Sequence, residues 1–362
     1  MQLEQLWLTD FRNYPAADLV PAAEGITVVT GANGEGKTNL LEAIAYLSTL
    51  RSFRGAPGEA MVRVGSSSAV VRAQLRREGR DILVEAELRA SGRDRVQVNR
   101  QPLRRTRDLL GALVVTVFGP DDLELVKGGP AGRRRYLDDL LVALHPRHDA
   151  TQSEVDGVLK QRNALLRQAA GRTRPDPDVV ATLDVWDAKL AAAGEALASA
   201  RGALAAALEP LADASYSRVA GGGPPGQVAV VYQPSWEGTL AAALAAARHD
   251  DLRRGVSTVG PHRDELAVAI GGLPARTHAS QGEQRSVALA LRLAGHELVT
   301  GRIGTAPVLL LDDVFSELDS DRSAGLLAAL PAGQALLTTA GSVPAGARVE
   351  KRLRVEDGKL LG

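Results

Sequence analysis

The 362-residue sequence contains no cysteine, which excludes disulfides, thiolate catalysis, cysteine zinc sites and iron–sulfur clusters. The absence of cysteine agrees with a reducing compartment, and we expect a cytoplasmic protein. Its six histidines show no HExxH or other metal-ligand spacing. No apolar run approaches the roughly 18 to 20 residues that span a bilayer, so we expect no membrane partner. Aromatic residues make up only 3% of the chain, which is too few for a base-stacking platform.

An excess of charge of one sign is also missing, because 43 Lys and Arg balance 43 Asp and Glu. Any nucleic-acid contact must therefore be local. Residues 51–107 hold 14 Arg against six Asp and Glu, and neutralisation of phosphates there would give salt-sensitive binding without sequence preference. The alternative is a solvated sheet face in an arginine-rich protein. The candidates for DNA contact are Arg76, Arg77, Arg93, Arg95, Arg100, Arg104, Arg105 and Arg107.

The length suggests two domains at about 150 residues each. Alternating apolar residues predict strands near the N-terminus and an antiparallel sheet between about 62 and 118, whereas apolar residues three and four apart predict helices between about 131 and 215. Pro175, Pro177 and Pro210 are expected to mark boundaries of those helices, and GGGPPG at 221–226 predicts a turn or a loose loop. We expect a head formed by 1–118 and 250–362, with a helical lobe, 119–249, inserted between its two parts.

The segment GANGEGKT, Gly31 to Thr38, matches the phosphate-loop pattern GxxxxGK[ST] between a predicted strand and a predicted helix. Glycines allow the loop amides to point at phosphates, Lys37 supplies a positive charge, and the Thr38 hydroxyl can ligate Mg²⁺. The nucleotide-contact candidates in this loop are Gly31, Asn33, Gly34, Gly36, Lys37 and Thr38. Coincidence is the alternative, and the placement between strand and helix argues against it.

The apolar segment VLLLDD at 308–313 predicts a buried strand that ends in acidic residues. Asp312 is the second candidate ligand for Mg²⁺, directly or through water. The alternative is a strand followed by an aspartate that caps a helix.

The segment SQGEQ opens a long predicted helix, with Ser280 at its start and Glu283 three residues later. This spacing is that of an ordinary capping box. It also suits a second anion site, in which Ser280, Gln281, Gly282 and Glu283 would contact a phosphate held by another copy of the chain.

The order of these motifs, followed by SELD at 316–319, resembles that of the ABC ATPase family. The resemblance implies ATP held between two subunits, the signature SQGEQ and the D-loop residue Asp319 facing the partner's nucleotide, and Asp313 in place of the usual catalytic glutamate. The shorter carboxylate suggests slow turnover. The switch histidine of many relatives is missing, since ALLTTA offers Thr338 and Thr339, and no glutamine marks a Q-loop.

Further motifs narrow the resemblance to the bacterial RecF family, over nearly the whole chain. They are LTDFRNY at 8–14, VFGPDDLELVKGGPAGRRRYLD at 117–138, LKQRNALLR at 159–167 and TVGPHRDEL at 258–266. The resemblance implies an α/β ABC-type P-loop ATPase head, with a mixed sheet and an antiparallel β subdomain, an inserted α-helical lobe and no long coiled coil. Arg12 matches a position where related heads approach the nucleotide; a surface arginine at a strand end is the alternative. His262 and Arg263 belong to the last of these motifs, and two interpretations of the pair stay open: a structural turn, and a contact with nucleotide or DNA.

By resemblance, the chain is expected to be a slow DNA-dependent ATPase that dimerises on ATP and Mg²⁺. ATP-driven dimerisation would clamp duplex DNA or single/double-strand junctions, and hydrolysis would release them. It would act in recombinational repair and replication-gap processing, assisting RecA loading with RecO and RecR. Two alternatives stay open: the nucleotide-binding subunit of an ABC transporter, and a nucleotide-dependent scaffold that does not hydrolyse ATP.

Overall fold

The computed structural model describes residues 1–170, 176–220 and 227–361. The strands are β1 (Gln2–Phe11), β2 (Tyr14–Leu19), β3 (Gly25–Thr30), β4 (Ser68–Arg77), β5 (Arg80–Arg89), β6 (Arg95–Val98), β7 (Gln101–Pro102), β8 (Val115–Phe118), β9 (Val228–Gln233), β10 (Glu265–Ile270), β11 (Leu273–Pro274), β12 (Val308–Asp312), β13 (Gln334–Thr339), β14 (Val349–Glu356) and β15 (Lys359–Leu361).

The helices are α1 (Lys37–Thr49), α2 (Glu124–Lys127), α3 (Pro130–Leu144), α4 (His148–Ala169), α5 (Pro177–Val219), α6 (Leu240–Arg254), α7 (Ala275–His278), α8 (Gln281–Ile303) and α9 (Ser320–Ala329). None of the helices in the described ranges is both long enough and apolar enough to cross a bilayer.

The first compact unit comprises Met1–Val126, Leu211–Gly226 and Ser280–Gly362. It contains a mixed six-stranded sheet in the order β15-β14-β3-β13-β12-β8, whose strands are parallel except for the β14–β15 hairpin. It also contains an antiparallel six-stranded sheet in the order β2-β1-β4-β5-β6-β7. The expected mixed sheet with an antiparallel β subdomain is confirmed.

Strand β12 is buried along its whole length, as its continuous apolar sequence requires in a parallel sheet covered on both faces. Val308 and Leu310 pack into the cluster shared with α1 and the antiparallel sheet. Leu309 and Leu311 pack on the opposite face, with residues of α8 and α9. This alternation holds the carboxyl end of β12 in one place.

The Gln334 side chain joins the two sheets of this unit. Its Oε1 accepts from the Leu3 amide at 2.7 Å, and its Nε2 donates to the carbonyls of Leu3 and Ala22 at 2.8 Å each. Gln334 is buried, and its side-chain amide bonds both the N–H and the carbonyl of Leu3 on β1, as the backbone of a neighbouring strand would.

The second compact unit comprises Lys127–Pro210 and Gln227–Ala279. It contains α3, α4, α6, α7, most of α5, and a small antiparallel sheet in the order β11-β10-β9. These bounds differ from the expected lobe at 119–249, because β10 pairs with β9 and so keeps residues up to 279 in this unit. Periodicity along the sequence does not show that long-range pairing.

Of the prolines expected to mark helix boundaries, Pro177 does so and Pro210 does not. Pro177 is the first residue of α5, where its missing N–H costs nothing. Helix α5 continues through Pro210 and extends over 43 residues. Pro175 and the GGGPPG segment at 221–226 lie outside the described residues.

The buried His296 on α8 predicts a pH dependence of stability. Its Nδ1 lies 3.1 Å from the Thr116 hydroxyl on β8, and burial lowers its pKa from 6.5 to about 4. The unfolded chain therefore binds this proton at a higher pH than the folded chain does. Stability falls as the pH drops from about 6.5 towards 4, by about 2 kcal/mol between pH 7.5 and pH 5.

Between pH 7.5 and pH 5, we expect the free energy of unfolding of His296→Leu to fall by about 2 kcal/mol less than that of the wild type. Urea unfolding at the two pH values measures the difference, and replacement of the exposed His278 by Asn is the control. Equal losses in the wild type and in His296→Leu would contradict the assignment.

Candidate functional site

The predicted phosphate loop lies between the end of β3 and the start of α1. Gly36 precedes α1 with φ +108°, and no side chain caps the helix, so its first amides are open to an anion. A Cβ at Gly36 would lie 2.5 Å from the Asn13 side chain, and one at Gly31 would lie 2.5 Å from the Val355 carbonyl. Backbone conformation and close packing therefore explain these glycines.

Lys37 and Thr38 project from the first turn of α1. The Lys37 ammonium is largely buried and donates to the carbonyls of Gly31 and Ala32, both at 2.8 Å. The Thr38 hydroxyl donates to Asp312 Oδ1 at 2.8 Å. The two sequence motifs, separated by 274 positions, therefore meet at one edge of the parallel sheet.

Asp312 is a buried carboxylate with two hydroxyl donors. Thr338 on β13 donates to the same Oδ1 at 2.7 Å. Burial raises the pKa of Asp312, and the hydrogen bonds from Thr338 and Thr38 oppose that rise. A hydroxyl and a carboxylate at adjacent oxygen positions suit Mg²⁺, which is commonly held by one or two protein oxygens and substrate phosphates.

Asp313, the candidate catalytic residue, follows β12 in the left-handed backbone region with φ 48°. Its amide donates to the Thr338 carbonyl at 3.0 Å and approaches the Thr338 hydroxyl at 3.2 Å. Its Oδ1 is buried and has no hydrogen-bond partner among the described residues. A strained backbone and an unpaired buried oxygen occur together at functional positions more often than elsewhere.

Two further segments support the phosphate loop. Asn13, after β1, donates to the Glu35 carbonyl and accepts from the Asn39 side chain, both at 2.8 Å. The Tyr14 hydroxyl donates to the Gly36 carbonyl at 3.0 Å. From the β14–β15 hairpin, the Asp357 amide donates to the Glu35 carboxylate. Reasoning from sequence did not select these residues, although Asn13 and Tyr14 lie in the quoted motif LTDFRNY.

Arg12, which is expected to approach the nucleotide, forms contacts within the chain. Its guanidinium forms a two-pronged pair with the fully buried Glu42 of α1 at 2.7 Å and donates to the Ala60 carbonyl at 2.7 Å. Arg12 therefore fixes α1 against the antiparallel sheet in this structure. Its contact with a nucleotide stays a prediction.

At the signature segment, the capping box predicted from sequence is formed. Ser280 Oγ accepts from the Glu283 amide at 3.3 Å, and Glu283 accepts from the Ser280 amide at 2.7 Å. These hydrogen bonds lower the pKa of Glu283. Gln281 and Gly282 form the first turn of α8. Asp319 caps α9 by accepting from the Arg322 amide at 2.8 Å. Roles for these residues towards a second copy's nucleotide remain predictions.

Within the motif TVGPHRDEL, residues 262–264 belong to a hydrogen-bonded turn in the second unit. His262 Nε2 lies 3.1 Å from the Ser257 carbonyl, and burial lowers the pKa of His262. Arg263 donates to the same carbonyl at 3.3 Å. Asp264 accepts from the Ser235 amide at 2.8 Å and from the Tyr232 hydroxyl. These contacts support the structural explanation of the motif.

Comparison with known proteins identifies the family. The family described as "RecF/RecN/SMC N terminal domain" matches residues 2–337. The DNA replication and repair protein RecF of Streptomyces avermitilis is 44% identical over 356 residues, which cover 94% of this chain and 93% of that protein. The protein of the same name from Frankia alni is 47% identical and covers 95% of each chain. The chain belongs to the RecF family.

Solved structures agree with this membership. A structure of the recombination mediator protein RecF with ATP, in the RecFOR pathway, has a TM-score of 0.89 and 28% identity, and covers 99% of this chain and 96% of that one. An SMC head bound to a domain of ScpA has a TM-score of 0.59 at 16% identity, covers 100% and 96% of the two chains, and supports the fold alone. The ABC/SMC-type head fold expected from the sequence is confirmed for this RecF-family chain.

The structure divides the arginines proposed for DNA contact in this RecF-family chain into two groups. Arg76 pairs with Glu4 and Asp81, and Arg77 lies beside Glu78 and donates to the Gly111 carbonyl. Arg107 also interacts with another group of the chain. The remaining five are exposed and have no ion-pair partner in the described part of the chain: Arg93, Arg95, Arg100, Arg104 and Arg105. They surround the edge formed by β6 and β7.

Arg100 occupies the tip of the β6–β7 hairpin with φ +63°, directly after Asn99 with φ +50°. The β4–β5 and β14–β15 hairpins have glycine, Gly79 and Gly358, as the second residue of the corresponding turns. Glycine is favoured at such positions because it has no Cβ. An arginine there points to a role other than stability.

The two hydrogen bonds of Asn13 are expected to stabilise the phosphate loop. Asn13→Ala removes two hydrogen bonds, and we expect the free energy of unfolding to fall by roughly 1 to 2 kcal/mol. Amide exchange should rise within residues 31–38. Urea unfolding and hydrogen exchange measure the two effects. Gln5→Ala, which removes an exposed hydrogen bond to Asp18 between β1 and β2, is the matched control. Unchanged exchange in the loop would refute the supporting role.

Proposed function

We propose that this RecF-family chain is an ATP-dependent, DNA-binding ATPase of recombinational repair and replication-gap processing. The hydrogen bond between the Thr38 hydroxyl and Asp312 carries the proposal, because it joins the phosphate loop to the acidic end of β12. The RecF relative of known structure with bound ATP supports the same nucleotide for this chain.

In the proposed complex, the nucleotide phosphates lie on the loop amides between Gly31 and Gly36, where Asn33 and Gly34 also contact them, and at the start of α1. Lys37 exchanges its two bonds to loop carbonyls for phosphate oxygens. Arg12 contacts the nucleotide only after its pair with Glu42 rearranges. Asn13 and Val355 approach Gly36 and Gly31 closely, which leaves no space for a side chain at either glycine.

Thr38 and Asp312 are the proposed ligands of Mg²⁺, and the 2.8 Å hydrogen bond between their oxygen atoms supports this proposal. When bound, the ion would neutralise charge on the β- and γ-phosphates. Thr338 keeps the Asp312 carboxylate oriented through its 2.7 Å hydrogen bond. Asp313 would orient a water molecule or accept its proton while that water attacks the γ-phosphorus; the bond from this phosphorus to the bridging oxygen breaks, and ADP and phosphate leave.

The proposed active unit is a homodimer. Ser280, Gln281, Gly282 and Glu283 of one copy, with Asp319, would contact the nucleotide bound by the other copy. The positive end of the α8 helix dipole and the polar side chains of its first turn suit an anion. ATP would then close the dimer, and hydrolysis would open it.

The unpaired arginines around β6 and β7 are the proposed DNA contacts. Their guanidinium groups would bind backbone phosphates, because the chain offers few aromatic side chains for base stacking. Duplex DNA and single/double-strand junctions are the proposed ligands. By family resemblance, the protein would act in the cytoplasm with RecR and RecO and assist the loading of RecA; the RecF structure from the RecFOR pathway supports this assignment.

The mass of the protein in solution tests the nucleotide-driven dimer. We expect a monomer with ADP and a dimer with Mg²⁺ and ATP, favoured further by duplex DNA. Lys37→Met and Ser280→Arg should prevent dimerisation. Lys160→Met, the same change on the exposed face of α4, is the control and should behave as the wild type. A mass that does not respond to ATP would refute the dimer.

Asp313→Asn distinguishes the ATPase from a scaffold that does not hydrolyse ATP. We expect phosphate release to fall by about 100-fold or more, while ATP still drives dimerisation. Asp178→Asn, an exposed aspartate at the start of α5, is the control. A wild-type protein that dimerises on ATP without releasing phosphate would favour the scaffold.

Arg100→Gly separates DNA contact from hairpin stability. Glycine suits φ +63°, so we expect a gain of roughly 1 kcal/mol in stability, although duplex affinity should fall several-fold and the salt slope of binding by about 1. Arg76→Ala removes the same charge from a paired residue and is the control. Fluorescence anisotropy at several salt concentrations measures binding. Unchanged affinity in Arg100→Gly would remove the hairpin from the DNA-binding surface.

A further inference from the structure

Two arginine side chains connect the signature segment, Ser280–Ser286, with the D-loop segment, Ser316–Arg322. Arg285 on α8 donates to the Glu317 carbonyl at 2.5 Å and pairs with the Glu317 carboxylate at 2.8 Å. Arg322 on α9 crosses in the opposite direction, and its Nε donates to Ser286 Oγ at 3.3 Å. The two segments are therefore joined from both sides.

Asp319 fixes the direction of the Arg322 side chain. Its carboxylate accepts from the Arg322 amide at 2.8 Å and pairs with the Arg322 guanidinium. The same aspartate therefore caps α9 and orients the arginine towards α8. The positive charge of Arg322 also contributes to the lowered pKa of Glu283, after the hydrogen bonds to Ser280.

The guanidinium of Arg322 covers the backbone of Gly282. A Cβ built at Gly282 would lie 2.5 Å from Arg322 Nη2 and 2.8 Å from its Cζ. Gly282 has ordinary helical φ, so its backbone conformation does not require glycine. Glycine in the first turn of a helix lowers helix propensity. The position of the Arg322 guanidinium explains why glycine nevertheless stands here, because a larger residue would clash with it.

We propose that Arg322 is a positioning residue that holds the signature segment and the D-loop segment as one preformed surface for a second copy of the chain. The inference rests on the proposed ATP-driven dimer. If Arg322 is lost, the Arg285–Glu317 contact alone remains of these two arginine connections between the segments. Part of their ordering must then occur when the copies associate, and that cost reduces affinity. In a two-fold symmetric dimer the cost is incurred once in each copy.

A partly exposed ion pair contributes little to the stability of the folded chain. The thermal midpoint of Arg322→Ala should therefore change little. Nucleotide affinity of the monomer should not change either, because Arg322 supports a surface that faces the partner's nucleotide. A purely structural role would instead reduce stability and nucleotide binding together.

The experiment measures the dissociation constant of the full-length dimer with Mg²⁺ and ATP across a protein concentration series. We expect about a 10-fold weaker dimer for Arg322→Ala, with unchanged binding of fluorescent ADP to the monomer. Arg253→Ala is the matched control, since Arg253 forms an exposed ion pair with Asp250 at the same three-residue spacing. This control should dimerise as the wild type does.

A double-mutant cycle with Gly282→Ala tests the contact itself. We expect Gly282→Ala to weaken the dimer in the wild-type background and to have little effect in the Arg322→Ala background, where the guanidinium is gone. Additive effects of the two substitutions would overturn the proposed contact.

The outcomes separate this inference from the function on which it rests. If the wild type dimerises on ATP and Arg322→Ala dimerises equally well, the inference is overturned and the ATP-driven dimer stands. If the wild type binds nucleotide but stays monomeric with ATP, the dimer is refuted, and this inference with it.

Discussion

One carboxylate oxygen organises the site: Asp312 Oδ1 accepts hydroxyl hydrogen bonds from Thr38 on α1 and Thr338 on β13. A buried carboxylate is costly unless it has hydrogen-bond donors. These donors come from two segments distant in sequence, so folding of the parallel sheet and closure of the phosphate loop satisfy the same atom. The position of the loop relative to the acidic end of β12 follows from this requirement.

The central strand–loop–helix and the buried strand before Asp312 could be predicted because each is a local pattern. Parallel strands bring their carboxyl ends to one edge, so the meeting of Thr38 and Asp312 also followed from topology. Asn13, Asp357 and Arg322 could not be selected in this way. Their contacts depend on hairpins and helices that pack together across long sequence separations, and no periodicity records such packing.

The count of charged residues said less about which arginines can bind DNA than their ion-pair partners in the structure do. A count of charges between residues 51 and 107 treats Arg76 and Arg100 alike, although one is paired with two carboxylates and the other occupies a left-handed turn without an ion-pair partner among the described residues. Arg12 is a similar case, because its position near the loop was read from a motif, whereas its partner, Glu42, lies 30 residues away on α1. Ion pairs must be seen in three dimensions before free charge can be counted.

Several side chains proposed to contact ATP are already hydrogen-bonded within the chain. Lys37 is held by loop carbonyls, Ser280 and Glu283 satisfy each other, and Asp319 holds Arg322. Exchange of one hydrogen bond for another changes the free energy little. The net gain on binding must therefore come from the charge of the phosphates. Lys37 and the helix amides form stronger hydrogen bonds to a charged phosphate oxygen than to a neutral acceptor. Such a site would discriminate by charge and by the number of phosphates that reach it, which suits the proposed dimer that ATP closes and ADP does not.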